Sequence, residues 1–134
     1  MLTSMLAFGG CGRVERAQEC QALVATVNPA LDAIEARQKR PGSDQRAALR
    51  DAARRYDRLA AQVIRLRLSN ADLAKSVRQY GDLLRRAART ARAVAGALEH
   101  GNLAAITRTR TEMATVVRKE KALAKRLDQI CRNP

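Results

Sequence analysis

The sequence is poor in aromatic residues, since Phe8, Tyr56 and Tyr80 are its only three and tryptophan is absent. Much of its 46% hydrophobic content is alanine. A core built from such residues predicts helices that approach one another closely rather than a thick β-sandwich. Glycine and proline are also scarce, at 7 and 3 residues, and no segment alternates as a strand would. The composition therefore excludes a β-rich fold and predicts an all-α protein.

Residue patterns for catalysis and for metal or cofactor binding are missing as well. The one histidine, His100, precedes Gly101 at a predicted helix end, where the helix dipole is enough to explain it. The chain has no Glu-x-x-His pair, no Cys-x-x-Cys, no glycine-rich phosphate loop and no nucleophile elbow. We therefore predict a non-enzymatic protein with no catalytic residue, no metal site and no cofactor.

Apolar residues recur at helical spacing in four blocks. Asn28-Pro29 interrupts the first block, where we expect a kink or a restart. Three breaks separate the blocks: Arg40-Pro41-Gly42 followed by Ser43 or Asp44 as a cap, Leu68 to Asp72 with Ser69 or Asn70 as a cap, and His100-Gly101-Asn102. Helices with such short connections predict an antiparallel up-down-up-down four-helix bundle with coiled-coil-like packing over residues 13–134.

The polar residues within the apolar rows are explained by structural roles rather than by a functional site. Glu120 interrupts the fourth block, and we expect a rim or paired carboxylate there because an isolated buried carboxylate is costly. Tyr56 and Tyr80 lie on core stripes and are predicted to be packing residues with a hydrated hydroxyl. A small ligand slot between the helices is the alternative for these tyrosines.

Two cysteines stand near the ends of the helical region. In an up-down-up-down bundle the start of the first helix and the end of the fourth lie at the same end, so Cys20 and Cys131 are predicted to form a disulfide. The alternative is two unrelated thiols, each buried as a small apolar residue.

The N-terminal residues 1–12 are predicted to be a truncated signal-like segment or a disordered one. A short apolar run ends in Gly9-Gly10-Cys11, and this region resembles the end of a bacterial lipoprotein signal peptide, which implies lipidation of Cys11. It departs from that pattern because Phe8 stands where leucine is usual and no Lys or Arg precedes the run. A frayed apolar tail is the alternative. Under export the three cysteines are explained together, with one lipidated and two bridged.

The layout of the whole chain also resembles uncharacterised small helical lipoproteins of high-GC bacteria. The resemblance rests on the lipobox-like cysteine, Glu19-Cys20 and Asn28 in the first helix, Leu66-Arg67-Leu68, Tyr80 and the terminal Ile130-Cys131. It implies a location in the cell envelope, in the periplasm or at the outer membrane, and brings no known activity or site.

The chain is strongly basic, with 26 Lys and Arg against 13 Asp and Glu, a net charge of +13 and a pI near 11.1. The second and fourth blocks hold most of this charge and the first block is acidic, so we expect part of the excess to be neutralised between neighbouring helices. Arg46, Arg50, Arg54 and Arg58 are predicted to form an exposed basic stripe. Such a surface favours anionic envelope components, such as lipid head groups or acidic cell-wall polymers, although the partner can also be an unidentified protein.

Nucleic acid is the rival partner, because a pI above 9 with arginine clusters meets the electrostatic criterion for phosphate binding. The sequence offers no helix-turn-helix spacing, zinc ligand set, basic zipper or aromatic stacking platform. We therefore favour a helical envelope lipoprotein with a structural or interaction role. The alternative is a cytoplasmic basic protein that associates non-specifically with nucleic acid.

Overall fold

The computed structural model describes residues 6–42 and 44–132, with side chains from Val14 onward. It contains four α-helices and, within those residues, no strand. The predicted all-α class and the antiparallel four-helix bundle are confirmed. The helices are α1 (Leu6–Gln38), α2 (Gln45–Ile64), α3 (Ala71–His100) and α4 (Leu103–Arg132).

The helix ends follow local capping chemistry. At each break where the sequence left two cap residues open, the structure selects one for a helix start. The Asp44 side chain accepts a hydrogen bond of 3.0 Å from the Arg46 N–H at the start of α2, and the Asn70 side chain accepts one of 2.9 Å from the Leu73 N–H at the start of α3. Both satisfy amides that the first helical turn leaves without an intrahelical partner.

Gly101 ends α3 as predicted. Its φ of 64° lies in the left-handed region, which glycine adopts at no steric cost. Its N–H bonds back to carbonyls of the last turn of α3. Asn102 follows and accepts a 3.0 Å hydrogen bond from the Ala105 N–H, so one short segment ends α3 and caps α4.

The first helix is longer and more continuous than the sequence indicates. α1 begins at Leu6 and passes through Pro29 without a restart, so the restart that the sequence offered as one of two outcomes does not occur. Pro29 is exposed, and the buried residues Leu23 and Ile34 hold the helix on either side of it. This packing keeps the helix intact although proline removes one backbone hydrogen bond. The predicted boundary between residues 1–12 and 13–134 falls inside α1, with no break in the helix there.

The third helix is the centre of the bundle. α3 packs extensively against α2 and α4, α1 packs on α2, and α1 meets α4 at few points. Between the middle of α1 and the end of α4 the core contains large side chains such as Leu73, Tyr80 and Leu84. Farther away, the α2–α3 contact is made by Ala53, Ala88 and Ala91. Alanine lets these two helices approach closely, whereas the α1–α4 side stays open.

Candidate functional site

The two predicted partner cysteines meet between the first and last helices. The Sγ atoms of Cys20 and Cys131 lie 2.08 Å apart and their Cα atoms 5.9 Å apart, so the structure forms the Cys20–Cys131 disulfide. Cys20 belongs to the apolar core cluster. Cys11 lies on the same helix nine residues before Cys20, but its side chain is outside the described part of the chain. The lipidation of Cys11 therefore stays a prediction.

A second link near the disulfide was not predicted. Glu19 Oε1 accepts hydrogen bonds from the Ser69 backbone N–H at 2.6 Å and from Ser69 Oγ at 2.8 Å. These bonds, the backbone one first, lower the pKa of Glu19 because they favour the ionised carboxylate. Glu19 thus joins the middle of α1 to the turn between α2 and α3. Nothing in the local sequence around Glu19 or Ser69 signals a contact across 50 residues.

The arginines predicted to form a stripe on α2 are exposed, but most of them have acidic partners. Arg46 lies 3.5 Å from Asp44, Arg50 pairs with Glu99 of α3, and Arg54 lies 3.5 Å from Asp51. Arg58 has no ion pair within the described residues. The stripe therefore presents less net charge than the sequence pattern indicates.

The ion pairs between helices, among the residues that the structure describes, do not involve the acidic residues of α1, although these were expected to neutralise the neighbouring helices. The interhelical ion pairs join α2 to α3, through Arg50–Glu99 and Arg92–Asp57, and α3 to α4, through Arg86–Glu112. The Glu35 carboxylate of α1 instead pairs with Lys39, four residues later in the chain. The expectation that α1 supplies acid to its neighbours has no support in these pairs. The reason is geometric, since α3 is the helix that packs most extensively on both α2 and α4.

A group of exposed cations without acidic partners in the described structure lies on the second half of α4. Arg118, Lys121 and Lys125 are exposed and spaced by three and four residues, which places them on one helix face. We call these three residues the α4 cation row. None of them has an acidic partner among the described residues, and Arg118 bonds only to Thr115 Oγ1, at 3.2 Å. Exposed Lys119 and Arg126 flank the row.

Glu120 stands inside this basic segment but turns toward the core. Its Oε1 accepts a 2.9 Å hydrogen bond from the Tyr80 hydroxyl, which confirms a paired carboxylate. The sequence predicted a hydrated hydroxyl for Tyr80. The residue is 1% exposed, and its hydroxyl is bonded to Glu120 instead. Burial, and then the nearby Glu120 charge, raise the pKa of Tyr80 and, less strongly, that of Tyr56.

The open side between α1 and α4 is a groove with Glu120 at its middle. Toward the disulfide a cavity of about 240 Å³ lies between the two helices, and a cavity of about 150 Å³ continues on the other side of Leu31 and Glu120. We call these two cavities the interhelical groove. A wider cavity of about 570 Å³ follows at the far end, where Arg40 and Arg110 line it.

The comparisons with known proteins bring no further site. No protein-family model, curated protein or solved structure matches the chain. The candidate sites therefore rest on the geometry of this chain alone. They are the α4 cation row, the interhelical groove and the disulfide.

Among the described residues, no helix is long and apolar enough to cross a membrane. They also contain no group of three or more His, Cys, Asp or Glu residues that could hold a metal ion. His100 is exposed in the last turn of α3, as the sequence predicted.

Proposed function

We propose that this protein is a non-enzymatic helical protein of the cell envelope that docks on anionic membrane surfaces through the α4 cation row. The observation that carries the proposal is the exposure of Arg118, Lys121 and Lys125 on one face without an acidic partner. Each cation near an anionic bilayer contributes about 1 kcal/mol to binding. Three of them are enough for salt-sensitive attachment.

The row is unfavourable for the isolated helix. Lys121 and Lys125 are four residues apart and Arg118 is three residues before Lys121, so like charges are neighbours on the helix surface. Such pairs destabilise a helix by about 0.2 to 0.5 kcal/mol each. An anionic surface would relieve this repulsion, whereas on α2 four of the five arginines, all except Arg58, already have carboxylate partners.

Two features favour the envelope as the compartment. The Cys20–Cys131 disulfide requires an oxidising environment to persist. The apolar residues before Cys11 resemble an export signal with a lipidation site. Lys125, the last residue of the α4 cation row, lies six residues before Cys131, about 9 Å along the helix. This end of the row therefore lies near the disulfide, from which α1 continues back toward Cys11.

The test compares two variants that lose the same charge. Arg118→Gln/Lys121→Gln/Lys125→Gln removes the row, and the control Arg46→Gln/Arg50→Gln/Arg54→Gln removes three paired arginines of α2. Binding to vesicles of phosphatidylglycerol and phosphatidylcholine is measured by sedimentation at low salt. We expect the row variant to bind about 100-fold more weakly, because about 3 kcal/mol of attraction is lost, and the control to lose much less.

Stability measurements separate binding from folding. Removal of the row should leave the helicity unchanged and raise the melting temperature slightly, because like-charge repulsion is relieved. Equal losses in the two variants would show that net charge rather than the row drives binding, and no binding by the wild type would reject the proposal. Salt-sensitive binding to duplex DNA without vesicle binding would favour the nucleic-acid alternative.

A further inference from the structure

The interhelical groove has an unusual lining for so basic a chain. Among the described residues, the charged side chains that line its two cavities are Glu120 and Asp128, and no Lys, Arg or His lines either cavity. Asp128 pairs with Arg132 at 3.0 Å, so Glu120 is the carboxylate of the groove without a cationic partner in the described part of the chain. The rest is mainly apolar, with Leu23, Val27 and Leu31 on the α1 side. The groove is thus an acidic, apolar cleft in a protein of net charge +13.

Apolar side chains at the groove rim remain in contact with water. Val24 of α1 is 51% exposed and Val117 of α4 is 41% exposed, and they line the two cavities from opposite walls. A ligand with an apolar body would cover them. Their burial would be favourable in proportion to the apolar area removed from water.

The carboxylate of Glu120 has unused bonding capacity. Its Oε1 accepts the Tyr80 hydroxyl hydrogen bond, whereas Oε2 has no hydrogen bond and no ion pair within the described residues. The residue is half-buried and its Oε2 is not enclosed by protein atoms, so this oxygen is open to a ligand, and a partly buried carboxylate is stabilised by a cation. Although the chain has 26 Lys and Arg residues, none of those that the structure describes forms an ion pair with Glu120.

Two aromatic rings accompany this carboxylate. Tyr80 is bonded to it, and Tyr56 lines the second cavity together with Glu120. The Glu120 charge contributes to the raised pKa of both phenols, so a negative potential reaches both of them. Aromatic rings near a carboxylate favour organic cations, because the ring face attracts positive charge.

We propose that the interhelical groove binds a small organic cation with an apolar chain, whose ammonium group pairs with Glu120 beside Tyr56 and Tyr80. The site lies on the inner side of α4 and is separate from the α4 cation row. This proposal does not depend on the membrane-docking function. The ligand is selected by charge complementarity, since neither cavity of the groove contains a basic side chain to attract an anion.

The chain carries its own spectroscopic probe for the site. It has no tryptophan, and Tyr56 and Tyr80 are its only tyrosines. Tyr80 lines the cavity near the disulfide and Tyr56 lines the second cavity as well as the wider one beyond it, so intrinsic tyrosine emission reports on this side of the bundle. We would titrate the full protein with octylammonium, octanol and octanoate, which share one chain length and differ in head-group charge. We expect a saturable change with octylammonium, a weaker one with octanol and none with octanoate.

The decisive variant is Glu120→Gln, since glutamine can still accept the Tyr80 hydrogen bond while the charge is lost. We expect octylammonium affinity to fall at least roughly tenfold, to the level of octanol, as for the loss of a charge-assisted bond. Glu15→Gln makes the same chemical change at an exposed position of α1 and should bind as the wild type does. Unchanged affinity in Glu120→Gln, or equal binding of octanoate, would overturn the proposal.

A second variant, Ala124→Phe, tests the site independently in case Glu120→Gln fails to fold. Ala124 is exposed and lines the groove, so Ala124→Phe should fill the cavity, keep the fold and abolish binding of both octylammonium and octanol. Salt gives a further check, because binding in the groove should persist at ionic strengths that release the protein from anionic vesicles. The tyrosine emission could instead change with protein concentration alone, while sedimentation shows dimers. That result would mean that a second copy of the chain covers the groove, and it would refute the ligand site.

Discussion

Removal of the disulfide between the first and last helices should cost the bundle a large part of its stability. Cys20 and Cys131 are separated by 111 residues. In the chain-entropy model a cross-link over a loop of that length restricts the unfolded chain by about 5 kcal/mol. Single domains have total stabilities of only about 5 to 15 kcal/mol. For a chain of this size the loss corresponds to a fall in melting temperature of about 15 to 20 °C.

The structure also predicts which helix responds first. α1 packs on α2 and makes few contacts with α4, so the disulfide is the main link on that side of the bundle. In Cys20→Ala/Cys131→Ala we expect amide exchange in α1 to accelerate more than in the central helix α3. Local opening of this kind is characteristic of elements with few buried contacts.

The assay is guanidinium unfolding followed by circular dichroism at 222 nm, on protein whose linked peptides have first been identified by mass spectrometry without reduction. The denaturant slope should rise in the double variant because the unfolded chain exposes more surface without the cross-link. Cys11→Ala, which leaves the pair intact, is the matched control and should unfold as the wild type does. Two free thiols in exported protein, or a stability loss below about 1 kcal/mol, would refute the reasoning.

Further predictions concern pH, helix glycines and lipidation. Because the pKa of Glu19 is lowered in the folded state, Glu19→Gln should be less stable than the wild type at neutral pH. The difference in stability should vanish as the pH falls below the ordinary glutamate range and through the lowered pKa. A difference that stays constant during acid unfolding would contradict this. Gly96→Ala should stabilise the protein by about 0.5 to 1 kcal/mol, because the added Cβ meets nothing within 4 Å. Gly101→Ala should destabilise it by about 1 kcal/mol because of its positive φ. If thermal unfolding showed Gly96→Ala to be destabilising and Gly101→Ala to be stabilising, the assigned backbone geometry would be refuted. A fatty-acid analogue should label wild type but not Cys11→Ser in a bacterial host, and equal labelling of both would reject lipidation at Cys11.

Much of the fold could be predicted because it depends on local chemistry. The spacing of apolar residues predicted four helices, and glycine after His100 predicted the end of α3. The continuity of α1 through Pro29 could not be predicted in this way. Tertiary packing around Leu23 and Ile34 outweighs the local cost of the proline, and that packing is visible only in the folded structure.

The candidate sites were less accessible from sequence, because they depend on which side chains find partners. The basic residues of α2 and of α4 look alike in the sequence, but Arg50 meets Glu99 of α3 while Lys121 and Lys125 meet no described acid. Glu120 was correctly expected to be paired, yet its partner Tyr80 lies 40 residues away. The groove itself arises from the sparse α1–α4 contact, which no residue pattern reports.

The disulfide also gives the bundle a mechanical property. Since Cys20 and Cys131 close one covalent ring around nearly all of the helical core, a pulling force between the segment before Cys20 and the segment after Cys131 runs through the S–S bond. The helices inside the ring carry none of that load. If the N-terminal segment is fixed to a membrane and a partner holds the other end, the bundle remains folded under tension until the sulfur–sulfur bond is reduced.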